Sequence, residues 1–167
     1  MQIDYDERVW LRTTSLLVLL LPCGVTAGDL EVCLEDRVGL GPAARTAFER
    51  ELETHLPVRL SPATSTDSGC ILIQVRTVAP QRYASALGLV YRTGERILPV
   101  IEVYVRPVVA LLDREARADL LGRAIARVAA HELVHYSEQR GDHENAGLFR
   151  ASLSARELVG SLTRAPR

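Results

Sequence analysis

Along the chain, apolar and polar positions alternate, then recur every fourth residue, then alternate again. Leu30-Glu31-Val32-Cys33-Leu34-Glu35 has period two and predicts a strand. Gly41-Pro42 opens a helix with Pro at its first position. In it Ala44, Phe48, Leu52 and Leu56 form one stripe, expected to pack on a sheet, and His55-Leu56-Pro57 is its stop signal. Val58-Arg59-Leu60 reads as a short strand, and the Ser-, Thr- and Pro-rich stretch 61–69 as a loop. Cys70 to Arg76 predicts a strand with Ile71, Ile73 and Val75 on one face, and Leu87 to Tyr91 predicts another. Thr93-Gly94 turns the chain into 97–106, where Ile101, Val103 and Val105 alternate with Glu102, Tyr104 and Arg106. Pro99 cannot donate to a ladder, so that strand is expected at a sheet edge or with a bulge.

After Pro107 opens a short helical stretch, a long helix is predicted from about Ala116 to Tyr136. Its stripe is Leu121, Ile125 and Val128, and the same spacing continues onto Glu132 and His135. Gly141 and Asp142 break it, and Ser154-Ala155-Arg156-Glu157 is a capping box for a terminal helix through Leu162. No internal repeat is present. The order predicts an α+β class: a mixed β-sheet, one long helix, and a small C-terminal helical part.

At 167 residues the chain suits one domain, and 47% hydrophobic with 25% charged residues suits a soluble core. A net charge of −1 offers no footprint for nucleic acid or an acidic membrane. All its Lys-or-Arg positions are Arg, which reads as composition bias. Arg8 and Arg12 precede the apolar run Leu16–Leu21; Pro22 and Gly24 break it, and Val25-Thr26-Ala27 supplies small residues. This predicts a signal peptide over 1–27 and one exported domain over 28–167, periplasmic or extracellular. The acidic Asp4, Asp6 and Glu7 would then place the functional start near Val9 or Leu11. The run is too short to span a bilayer, so no membrane span is expected after signal removal, and a monomer is expected. The competing reading is a buried N-terminal helix or a retained anchor. Pro22 argues against a lipid anchor on Cys23. Cys33 and Cys70 remain in the mature chain, as a disulfide in an oxidising compartment or as two buried free thiols.

Chemistry concentrates in one place. The chain has four histidines, and His131, His135 and His143 fall in one short stretch. His131-Glu132-Leu133-Val134-His135 lies on the long helix, where positions i and i+4 share a face. Two imidazoles so placed can ligate one zinc ion, and the Glu between them can reach the water that is activated. A catalytic zinc takes three protein ligands and keeps one position open. His143 is the first candidate for the third, with Gly141 permitting the turn that brings it round; Asp142 and Glu157 are the alternatives. Glu138 and Glu144 read as solvated loop charges. In this scheme Glu132 takes the water's proton as general base and passes it to the leaving amine.

These residues resemble the zincin metallopeptidases, on their metzincin-like side, where H-E-x-x-H is followed by a third His after a Gly-bearing turn. The chain is similar to small exported bacterial zinc metallopeptidases with a longer spacing to the third His. The matching stretch is His131 to His135, His143, Gly147-Leu148-Phe149-Arg150-Ala151 and Arg156-Glu157-Leu158. Met1 is the only methionine, so Phe149 stands where that family places a Met, and Val134 stands where a Gly is common. The resemblance implies a zincin-like fold, a Zn2+ cofactor, a peptide or protein substrate, and an edge strand that binds it antiparallel; 97–106 would be that strand.

Tyr104 and Tyr136 are candidate oxyanion donors. His55 suits a helix C-terminus, and Arg114, Arg117, Arg123 and Arg127 read as a solvated helix face. The functional expectation is a zinc metalloendopeptidase. The alternatives are a zinc-binding recognition domain without turnover, and a metal-free α+β domain with incidental histidines.

Overall fold

The computed structural model describes residues 29–62, 69–112, 117–143 and 150–160. The expected signal segment, Cys23, Arg114, Glu144, Gly147 to Phe149 and Leu162 lie outside the described residues. The architecture is α+β: five strands and four helices in the order β1 (Leu30–Asp36), α1 (Pro42–His55), β2 (Val58–Pro62), β3 (Ile71–Arg76), β4 (Gly88–Thr93), β5 (Arg96–Tyr104), α2 (Val105–Leu112), α3 (Ala118–Glu138) and α4 (Ala155–Val159). No helix of the described residues is long and apolar enough to cross a membrane.

The strands form one mixed sheet of order β2-β1-β3-β5-β4. β1 pairs parallel with β2 and β3, and β3 pairs parallel with β5, while β4 alone runs antiparallel. Period-two alternation then gives the sheet two different faces. Val32, Leu34, Ile71, Ile73, Val75, Ile101 and Val103 enter one core with Phe48 and Leu52 of α1 and Ile125, Val128 and Leu133 of α3. The other face carries Cys33, Glu35, Gln74, Arg76, Glu102 and Tyr104.

Three expectations need correction. β5, which the resemblance put at a substrate-binding edge, is an interior strand hydrogen-bonded on both sides; the edges are β2 and β4, and of the two readings of Pro99 the bulge is the one that holds. Pro99 is tolerated because the register slips there: Val90 faces Ile101 but Arg92 faces Ile97, and pairing with β3 begins only at Val100. The apolar stripe of α1 lies chiefly against α3. The helices cross so closely that a Cβ on Gly122 would stand 2.0 Å from the Ala44 carbonyl oxygen, so only glycine fits. Arg127 is buried on α3: its guanidinium meets Glu51 of α1 at 2.7 Å and the Glu157 carbonyl of α4 at 2.6 Å. That one side chain ties three helices together, and apolar periodicity cannot reveal it. Arg117 is exposed, paired with Asp119 at 3.1 Å.

Cys33 and Cys70 form a disulfide with Cα atoms 5.8 Å apart, joining β1 to the residue before β3. Parallel pairing makes this possible, since Cys33 is in register with Leu72. The predicted capping box of α4 is present in full: Glu157 N donates to Ser154 Oγ, and the Ser154 amide donates to the Glu157 carboxylate at 2.8 Å.

Candidate metal centre

α3 is buried almost without interruption from Gly122 to His135, so the motif is delivered along the core rather than along a solvent face. His131 and His135 are buried, one turn apart, with Nε2 atoms 3.0 Å from each other. His135 is oriented by its other ring nitrogen. Nδ1 lies 2.9 Å from the Arg140 carbonyl oxygen, and donation there directs the Nε2 lone pair inward. His143 is exposed, its ring stacked at 5.3 Å on that of His131.

One ligating atom from each of His131, His135 and His143 lies within 4.8 Å of the others. Nitrogens in a tetrahedral zinc site stand about 3.4 Å apart, from Zn–N distances of about 2.0–2.1 Å. The set therefore fits one ion after a small inward movement of the outermost imidazole. Of the alternatives for third ligand, Glu157 is occupied elsewhere. Glu157 accepts from Ser154 and pairs with Arg150 at 2.8 Å, which, led by the Ser154 hydroxyl, holds its carboxyl down at about 2. Glu138 pairs with Arg140 at 2.5 Å. Asp142 is exposed and outside the cluster.

The turn that returns His143 is not made where glycine suggested it. Gln139 caps α3 in the left-handed region, at φ 52°, while Gly141 has ordinary backbone. The strain is offset because the Gln139 side chain accepts from the Ile97 amide at 2.9 Å and donates to the Tyr136 carbonyl at 2.7 Å. Nothing in the local sequence marks this residue, since its partner lies 42 positions away.

Glu132 points into the same space. It is buried, with no hydrogen-bond partner among the described residues, and burial pushes its carboxyl up to about 8. Gly88 of β4 lies directly on it: a Cβ there would stand 2.9 Å from the Glu132 Oε1 and 2.7 Å from Val128. A glycine inside a predicted strand is a signal of such close approach. The histidines and Glu132 line an open cavity of about 1020 Å³ with one wall formed by β4 and another by Pro107, Ala110 and Leu111 of α2.

Neither candidate tyrosine is placed to act here. Tyr104 lies on the opposite face of the sheet, fully buried, its hydroxyl donating to Glu102 at 2.5 Å. Tyr136 packs against the core and does not line the cavity. His55 pairs with Glu51 at 3.0 Å in the last turn of α1.

Compared with protein-family models, curated proteins and solved structures, the chain matches none.

Proposed function

We propose that this chain is a zinc-dependent peptidase of zincin-like, metzincin-like build, exported and acting on peptide or protein substrates. The observation that carries this is the meeting of three imidazoles within 4.8 Å and a buried, unpartnered carboxyl on the wall of one open cavity. His131, His135 and His143 are the residues that would hold the ion. Zinc bound by them supplies Lewis acidity towards the water and the scissile carbonyl.

Glu132 is the general base. It accepts the proton of the attacking water and hands it to the leaving amine. A cation held by the three histidines would favour the ionised carboxylate, the form that accepts a proton, and the low-dielectric surroundings of Glu132 strengthen that attraction. β4 is the substrate-binding edge. Its outer backbone groups are unpaired by any strand among the described residues, and it borders the cavity beside Glu132, so an extended peptide can add to the sheet there. The Cys33–Cys70 disulfide is in keeping with an oxidising compartment.

The test is metal analysis of purified protein together with a broad peptide-cleavage screen of wild type and Glu132→Ala. One zinc per chain, with cleavage lost in the variant, is the expected result. Absence of zinc at neutral pH would sink the site. Bound zinc with identical screens for both proteins would assign the chain to recognition without turnover.

A further inference from the structure

The cavity in front of the histidines is uneven in charge. Among the described residues Glu132 is the only carboxyl that lines it, and it is buried. Three guanidinium groups line it as well. That of Arg150 is engaged by Glu157 at 2.8 Å. Those of Arg92 and Arg106 are exposed and have no ion pair or hydrogen bond among the described residues.

These two arginines stand at opposite ends of the cleft. Arg92 is four residues past Gly88 on β4, about 13 Å along an extended strand. Its Nη1 lies over Gly141, 3.2 Å from where a Cβ would be, on the His143 side. Arg106 is in the first turn of α2, just past Tyr104, whose amide donates to the Leu87 carbonyl at 2.8 Å. It therefore sits beyond the other end of β4, anchored through its own amide to the Thr77 carbonyl at 2.9 Å. Gly88, pressed on Glu132, lies between them. A peptide adding antiparallel to β4 runs with its amino-terminal side at Arg92 and its carboxyl-terminal side at Arg106.

We propose that the cleft selects peptide segments that carry carboxylate side chains on both sides of the bond to be cut, the upstream one met by Arg92 and the downstream one by Arg106. This rests on the peptidase reading and on edge pairing at β4. A free guanidinium facing a cleft with apolar walls, here Val78, Leu87 and Leu111, binds carboxylates by charge-assisted hydrogen bonds. Low-dielectric walls focus its field, and a basic residue at the same position in the peptide meets like charge.

The experiment uses zinc-loaded protein and quenched fluorogenic peptides with a central Ala-Leu pair, carrying Glu, Gln or Lys upstream or downstream. The expected order of kcat/KM at both positions is Glu, then Gln, then Lys, with about tenfold between the extremes at low salt and less as ionic strength rises. Arg92→Glu should invert the order upstream only, and Arg106→Glu downstream only, with Arg→Lys variants restoring it. Wild-type cleavage indifferent to peptide charge, or variants that lose both preferences together, would overturn the proposal while leaving the peptidase reading intact. If wild type cleaves no peptide, the peptidase reading fails. Fluorescence anisotropy with the same peptides then decides on charge. Tighter binding of the Glu series that inverts in Arg92→Glu supports selection, and equal binding of the Glu and Lys series overturns it.

Discussion

The sheet separates two sets of buried polar side chains, and they are built on opposite terms. On the helix-free face, polar groups are matched to one another. Gln74 donates to Glu35 at 2.5 Å and accepts from Arg76 at 2.8 Å. Glu102 accepts from Tyr104, and an Arg76 nitrogen lies 2.8 Å from it, an ion pair whose angle falls short of a hydrogen bond. On the helix face Arg127 is also matched, but Glu132, as deeply buried as Gln74, has no hydrogen-bond partner among the described residues, and two ring nitrogens converge on each other 3.0 Å apart. A network whose groups are largely matched, here all but the Arg76 Nε, lowers the free energy of the fold and leaves little capacity to bind anything else. An unsaturated one weakens the fold and keeps its lone pairs for a ligand. The depth of burial is alike, so partner count distinguishes scaffold from site.

The largest effect should come from the unsaturated side. Glu132→Gln is expected to lower kcat/KM by about a thousandfold, the scale of a lost general base, while zinc content and melting temperature hold or the latter rises. A clear drop in melting temperature would show that Glu132 is structural and would erase the contrast. Next comes the tether on the helix-free face. Replacing Cys33 and Cys70 together by Ser should cost about 4 kcal/mol, from the loop-closure entropy of the 37-residue separation, measured by urea denaturation. Zinc stoichiometry should not change.

Glu102→Ala strands Arg76 and the Tyr104 hydroxyl and should cost about 3 kcal/mol, again with full zinc occupancy. Loss of metal in that variant would mean the two faces are coupled, and the comparison would have to be redrawn. The smallest effect concerns pH. Burial pushes the Glu51 carboxyl up, but hydrogen bonds from Arg127 and His55 outweigh it, so its pKa lies below the ordinary 4.5. A depressed carboxyl contributes stability that is present above 4.5 and lost as pH falls through its folded value. Acid titration followed by circular dichroism should therefore show a shallower loss in Glu51→Gln than in wild type.

Much of this fold is legible from period alone. β1, α1, β3 and the capping box of α4 lie where alternation, fourfold spacing, Pro42 and Ser154 put them, because each depends on neighbours in sequence. Strand order is another matter. Pro99 correctly signals an irregular ladder, yet whether it marks an edge or a bulge depends on which strand arrives alongside, and β4 arrives. Arg127 shows the same limit: a cation on a helix reads as solvated until a carboxylate and a carbonyl from two other helices close on it.

For the candidate site the division is sharp. The sequence by itself determines that His131 and His135 share a helix face with Glu132 near them, since 3.6 residues per turn requires it. The close approach of Gly88 to Glu132 comes from the structure. His143 is already the first candidate for third ligand in the sequence; what only the tertiary structure shows is that Gln139 reverses the chain against Ile97 and that Ser154 and Arg150 claim Glu157. The desolvation of Glu132, the placing of Tyr104 behind the sheet, and the free guanidiniums of Arg92 and Arg106 at the two ends of the cleft also depend on it. Each is set by groups distant in sequence, and local periodicity does not encode which distant groups meet.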